Sequence, residues 1–554
     1  MTGTRIAPRE PLRPRAARAV GRGLRTLMPG SGPAPRRAGF VALLAGLLVA
    51  VAASIRLLLP GPVGMADDGS GQSLLCGLGL GPDAALGTEP GHLVTRWVGH
   101  DWYGEACTPS PTVPALSPFF ALVGVARLAT GLLEPGTAFD TRVFAVLLAA
   151  VLGTLMGLIF WMLPGRLAFR ILVVGGASLL LLDGVFVDFF DSADVEGVVL
   201  LGVLGMAVAL LALWRGPRPR WESTTGAGLA MLAIVAVDLR LAVLLPVMVG
   251  ALLWRGPRSE AEPPEGRRSA AGRGARRRGA VAIALLGRAP AILVALGLVG
   301  GTVGLAASLD RPAAAPVWAY QQVFDGILPS SPRPAQDLAW FGLPSSTVSA
   351  AGASPDSAQA SSALEAPGLA TIGPAQIAAF YATHPERLVG LSDAGLAAMT
   401  APEQAGRGSY PVSAGEPAGA KEHRMPLALG LLGGLHVVTL LVPLLQLFIG
   451  LLGVGLAIRR ERGVAGRAWG RTTTALMLAA GLLFWRAAVF DRADLSAAIL
   501  PAALLTVLAL PLAVGCVLML VAAPQKGVKS AARSVNPKWA RMAAAQRIAA
   551  RPSP

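Results

Sequence analysis

Charge is the first scarcity: Asp, Glu, Lys and Arg make up only 14% of 554 residues, against 53% hydrophobic residues and a mean hydropathy of +0.58. So little charge excludes a string of soluble domains and points to one polytopic membrane bundle. Cysteine is also scarce, and three residues exclude a disulfide-rich scaffold. No aromatic-interleaved basic face occurs, so the net charge of +16 is not a nucleic-acid surface and no nucleic-acid partner is expected. No small-residue cleavage site follows promptly on the first apolar run, so that run is expected to stay as a span and not to be cleaved as a signal peptide. The glycines of 77–81 lack the Lys and the strand–helix context of a phosphate loop. His92, His100, Asp101 and Glu105 lack zinc spacing.

What is present in abundance is apolar runs of membrane-crossing length. Gly39–Leu59 is the first, with Arg56 its only charge. Further spans are predicted over Arg142–Leu163, Ile171–Val187, Val195–Trp214, Ala280–Leu309, Met425–Ile458, Thr472–Val489 and Leu495–Ala522. Residues 224–254 read as two short helices meeting at Asp238-Leu239-Arg240. Pro114–Leu133 is interrupted by Ser117, Pro118, Arg127 and Thr130, and as a span it would put Arg166 and Arg170 outside. It therefore reads as a helix lying at the outer interface. The expected fold is an all-α polytopic membrane protein of about ten transmembrane helices, with an interfacial helix in the first outer loop and a larger outer loop region.

Basic residues gather between alternate runs and in two tails, which by the positive-inside rule sets both termini in the cytoplasm and the chain in the cytoplasmic membrane. Residues 1–38 carry nine Arg and one Glu, and 523–554 carry seven Lys or Arg and no acid. Both read as disordered basic tails, the second with affinity for anionic lipid heads. Residues 39–309 form an N-terminal transmembrane module whose first outer loop, 60–140, is of catalytic type, and within it 255–279 is a cytoplasmic linker. The 310–424 region has six basic and ten acidic residues, net −4, which suits an extracytoplasmic face. Its centre, Ser345–Gly368, is low-complexity and reads as loop, while Trp318–Leu343 and Gly373–Met399 read as short helices. Residues 425–522 are the C-terminal transmembrane helices.

The candidate chemistry sits at Met65-Ala66-Asp67-Asp68-Gly69-Ser70-Gly71, directly after the first span. Two adjacent carboxylates beside a bilayer are expensive unless used. The same side carries Asp188, Asp191, Asp194 and Glu196, then Asp491, Arg492 and Asp494. A carboxylate can act as general base toward a hydroxyl, and Asp67 with Asp68 could hold a divalent cation such as Mg or Mn through oxygen ligands. Transfer of a sugar from a lipid-linked donor needs such a base, and an Arg or metal for the phosphate leaving group. Asp191, Asp194, Glu196, Arg240 and Arg492 are the candidate substrate-binding residues. Cys76 and Cys107 share the first outer loop and are candidates for a disulfide in an oxidising exterior. Trp97, Trp102 and Tyr103 are expected to anchor that loop at the interface.

With these residues in place, the chain resembles the GT-C superfamily of integral membrane glycosyltransferases, and more narrowly a chiefly actinobacterial group of GT-C-like membrane proteins. The resemblance rests on Asp67-Asp68-Gly69-Ser70-Gly71, on Phe189 to Glu196, on Val323 to Pro332 with Asp337-Leu338 and Gly342-Leu343-Pro344, and on His384 to Leu388. It implies an inverting transfer from a polyprenyl-phosphate sugar at the outer face to an envelope glycan or lipid acceptor, with Asp67 or Asp68 as base. The chain departs from the pattern at Asp238-Leu239-Arg240, where a Lys-Pro-type turn is more familiar. Two other classes stay open. A transporter or flippase would want polar residues amid several spans, where only Asp238, Arg240, Arg288 and Arg486 occur. A non-catalytic scaffold descended from such enzymes would lack a cavity joining Asp67 to the lipid phase.

Overall fold

A computed structural model describes residues 35–86, 88–101, 107, 113–215, 221–254, 288–309, 315–353, 357–404, 406–436, 438, 440–459, 463–491 and 494–521. Helix α1 (Pro35–Leu58) is the first span and leads into the short α2 (Ser70–Leu75). A small antiparallel sheet follows, absent from the sequence reading: β1 (Leu80–Pro82), β2 (Arg96–Gly99) and β3 (Phe139–Asp140), with Leu80 opposite Gly99 and Arg96 opposite Asp140. Between β2 and β3 lies α3 (Pro118–Leu133), capped by the Ser117 hydroxyl, which takes the Phe119 N–H. Its 16 residues reach about 24 Å, short of a bilayer core. Val125, Leu128, Leu132 and Leu133 are exposed along it, as suits an interfacial helix.

Helix α4 (Thr141–Met162) starts at an Asp140 cap and packs along α1, with Gly46 and Ala50 close on Gly153 and Gly157. Small residues at such a contact let two membrane helices approach without a hydrophobic drive between them. The next expected span is broken: α5 (Leu167–Leu181) bends by 69° into α6 (Gly184–Val187) and the turn to Phe190. Asp183 at the break caps α6 through the Val185 N–H and also accepts the Leu429 N–H. Then come α7 (Glu196–Arg215), α8 (Trp221–Val237), a 3-10 turn at Leu239–Leu244, α9 (Leu245–Leu253) and α10 (Ala289–Ala307).

The next region folds on its own apolar cluster, with Tyr320, Phe324, Leu338 and Phe380 buried together. Its helices are α11 (Ala315–Tyr320), α12 (Pro334–Trp340), α13 (Ala358–Leu364), α14 (Pro374–Thr383) and α15 (Arg387–Thr400). The expected loop at 345–368 is helical in part, because its alanines favour helix and Ala350, Ala360 and Ala363 are small enough to bury. The expected span 425–458 is two helices, α16 (Leu427–His436) and α17 (Leu441–Ile458). Helices α18 (Gly463–Phe490), α19 (Leu495–Ala498) and α20 (Leu500–Val521) end the described chain.

Among the described residues seven helices are long and apolar enough to cross a membrane, eight if the bent α5–α6 pair is one span. The count of about ten is reached only by adding α8 and α9 as spans. At 17 residues α8 reaches about 26 Å, and extended backbone at Asp238 separates it from α9. The bundle is nevertheless the all-α membrane fold expected. It has two electrostatically distinct ends. At one, Arg170, Arg215 and Arg471 lie over the rings of Phe160, Trp161 and Trp254. At the other, about 33 Å away along α4, the acidic turns meet.

Candidate functional site

The acidic loop leaves α1 in extended form and is clamped by two distant segments. Gly64 N–H bonds Ser409 O at 3.0 Å, Met65 N–H bonds Asp191 O at 3.2 Å, and Ala66 N–H bonds Gly408 O at 2.9 Å. A Cβ on Gly64 would fall 1.9 Å from the Asp191 carbonyl oxygen, so only glycine allows this approach. Gly69, at φ 100°, then turns the chain into α2.

That turn fixes the pair. Asp67 accepts the N–H groups of Gly69, Gly71 and Gln72 at 3.1, 2.7 and 2.9 Å, anchoring it at the start of α2. Asp68 accepts the Ser70 N–H at 3.0 Å and an Arg407 guanidinium N–H at 2.9 Å. Arg407, buried, also pairs with Asp194, donates through Nε to the Ala66 carbonyl at 2.7 Å, and lies 5.7 Å from the Phe189 ring centre. Asp194 accepts the Ser70 hydroxyl at 2.5 Å. Carboxylate oxygens of Asp67, Asp68 and Asp194 thus lie within 4.8 Å of one another. Burial, then the charge of Asp68, outweigh the amide bonds and raise the Asp67 pKa above the ordinary carboxylate value. Burial acts the same way on Asp68, but the Arg407 charge and the Ser70 bonds prevail and lower it.

A second group flanks this trio. Arg240 donates to Asp238 at 2.8 Å and to Glu196 at 2.6 Å, and Arg486 pairs with Asp491. Asp494, at the head of α19, faces Glu196, Asp68, Arg240 and Arg407 and makes no side-chain cap bond. Its solvent-exposed carboxylate is crowded by protein, and that crowding, with the charges of Glu196 and Asp68, pushes its pKa up to about 7. A third, deeper group joins Arg56 to Asp188 at 3.3 Å and to Glu422, with Ser409 donating to Asp188 at 3.2 Å.

Of the residues singled out in the sequence, Asp67, Asp68 and Asp194 come together, and Glu196 and Arg240 pair beside them. Asp191 does not join: its carboxylate is buried away from the trio, toward Thr141, Asp140 and Arg142, while its backbone carbonyl holds the acidic loop. Arg492 lies outside the described residues, as do Trp102 and Tyr103. Trp97 is 1% exposed inside β2, a core residue and not an interface anchor. Cys76 and Cys107 form a disulfide that ties the loop after α2. The turn 183–196 is buried throughout, so its acids are not the solvated loop charges that an outer turn ordinarily carries.

Sequence reasoning missed Arg407; it set Ser70 in the acidic stretch and Asp494 on the same side, and gave neither a role in the site. Arg407 is 339 residues from Asp68, and no spacing rule connects them. A divalent cation fits poorly. Every carboxylate oxygen of the trio already accepts an N–H or O–H, and Arg407 bridges Asp68 and Asp194.

No curated protein and no solved structure gives a significant match to the chain. One family model does match, over residues 35–484, most of the chain and all of the trio. The chain, a polytopic membrane protein, belongs to the family described as the YfdI N-terminal transmembrane domain.

Proposed function

We propose that this protein is a GT-C-type membrane glycosyltransferase that moves a sugar from a polyprenyl-phosphate donor to an envelope glycan or lipid acceptor. The acidic end then faces outward and both termini face the cytoplasm, in keeping with the arginines at the opposite end. The observation that carries the reading is the acidic loop itself. It follows the first span directly and is closed by Asp194 and Arg407 into one buried-edged cluster.

In this reading Asp67 is the base. Its raised proton affinity suits it to take the acceptor hydroxyl proton as that oxygen attacks the anomeric carbon from the face opposite the phosphate, with inversion. The leaving polyprenyl phosphate carries negative charge, for which Arg240 and Arg492 are the cationic partners. The tail needs an apolar track beside the site. Leu116, Pro118, Leu232, Ala236, Gly304 and Leu305 line a groove of about 510 Å³ between α3, α8 and α10. Its lining includes Ala236, two residues before Asp238, and Ser117, between the lining residues Leu116 and Pro118, donates to Val237 O at 2.8 Å. Arg240 with Asp238 and Glu196, and Arg486 with Asp491, are paired within the bundle, which favours transfer over transport.

The test is sugar transfer from a polyprenyl-phosphate sugar by purified protein in lipid nanodiscs. Asp67→Ala with Asp68→Ala, folded as judged by gel filtration, should abolish transfer. Wild-type rates in that variant would remove the mechanism.

A further inference from the structure

Three carboxylates whose oxygens converge within 4.8 Å can hold a divalent cation. Here a guanidinium already stands among them. Arg407 places one Nη 2.9 Å from Asp68 Oδ2, pairs its other Nη with Asp194 Oδ2, and fixes its Nε on the Ala66 carbonyl at 2.7 Å. Its side chain is buried, and Phe189 stacks within 5.7 Å, so the group is held and does not sweep through solvent. The remaining oxygens are engaged as well: Asp67 by three backbone amides, Asp68 Oδ1 by the Ser70 amide, and Asp194 Oδ1 by the Ser70 hydroxyl. Lys421, whose Nζ lies 3.9 Å from Met65 Sδ, adds a second positive charge within electrostatic reach of Arg407.

We infer that Arg407 is the resident cation of this site, seated between Asp68 and Asp194 where a divalent metal would otherwise be held, so that the trio works without one. A planar fork is suited to this, since it grips two carboxylates at once and is always charged. A metal entering the trio would meet the guanidinium charge at contact distance, and would compete at each oxygen with an N–H or O–H already held there. Arg407 is thus a positioning residue: it sets the directions of Asp68 and Asp194 and closes the 406–410 segment over the acidic loop. The inference concerns the cation alone and stands or falls apart from the sugar-transfer reading.

Manganese binding tests it without any knowledge of the substrate. The full chain, purified in nanodiscs and stripped with a chelator, is titrated with Mn²⁺ and the free ion followed by electron paramagnetic resonance. Wild type should bind no Mn²⁺ that Asp194→Asn removes. Arg407→Gln, which keeps hydrogen-bonding capacity but no charge, should gain one bound Mn²⁺ per chain, and Arg407→Gln with Asp194→Asn should lose it again. Arg407→Lys should stay free of the ion. One Mn²⁺ bound by wild type and lost in Asp194→Asn would overturn the inference, as would a folded Arg407→Gln that gains none. The wild-type arm decides the matter even where Arg407→Gln fails to fold.

Discussion

Replacing Arg240 by Met would remove a cation that two buried carboxylates share. Arg240 donates to Asp238 and Glu196 at 2.8 and 2.6 Å, and those acids are 0% and 7% exposed. Unit charges about 4 Å apart attract by about 4 kcal/mol at an effective dielectric near 20. Breaking one buried pair by deleting a partner costs about 3–5 kcal/mol, chiefly from the charge left behind. Here two acids lose that shared cation, so the upper part of that range is expected, about three decades in the unfolding equilibrium. Arg240→Lys keeps the charge and loses the two-pronged grip, and should fall between. Arg240→Met with Asp238→Asn and Glu196→Gln removes all three charges and should recover most of the loss. The assay is unfolding in one detergent, followed by tryptophan fluorescence. Arg240→Met unfolding within about 0.5 kcal/mol of wild type, or a neutral triple variant less stable than Arg240→Met, would show that Arg240 does not stabilise these acids.

Gly64→Ala should cost more than the roughly 1–3 kcal/mol of ordinary overpacking, because the new Cβ meets backbone at 1.9 Å; melting temperature and transfer rate should fall together. Gly69→Ala should cost about 1–2 kcal/mol through its φ of 100° alone, read by the same melt. For Asp494 the folded pKa, about 7, lies above its ordinary 3.8. The folded state then binds the proton more tightly, so this group's stabilisation is full below about pH 4 and is lost as pH rises to about 7. Melting temperature across that window should therefore decline more in wild type than in Asp494→Asn, and parallel profiles would contradict the assignment. Gly304→Leu fills the groove from a position where a Cβ meets nothing within 4 Å. It should weaken polyprenyl-phosphate binding about tenfold, one factor of about 1.4 kcal/mol, while leaving the melting temperature unchanged; native mass spectrometry in nanodiscs reads the first and fluorescence the second.

Much of this was legible in the chain because membrane spans are written in composition. Runs such as Gly39–Leu59 and Val195–Trp214 need no partner to be recognised, and alternating basic segments separate one end of the bundle from the other. The breaks were harder. Asp238 was visible as an interruption, but Asp183 at the bend between α5 and α6 was not, since its effect depends on the Leu429 amide from far along the chain. The acidic pair was conspicuous for its position beside a span. Its completion was not, for Asp194 is brought to it by the folding of a buried turn, and Arg407 by a segment whose backbone bonds Gly64 and Ala66. Asp191 shows the reverse case: a residue of the right type in the right turn, whose side chain faces inward because its backbone is the part that meets the loop.

In the proposed reaction a lipid-linked donor comes to rest beside Asp67 with its tail in the apolar groove. Electron cryomicroscopy of Asp67→Asn in nanodiscs loaded with a polyprenyl-phosphate sugar tests it most directly. Phosphate density is expected near Arg240, the sugar against residues 67 and 68, and the tail along Ala236 and Gly304. Lipid density confined to another face of the bundle, with the trio closed and no sugar beside it, would contradict it.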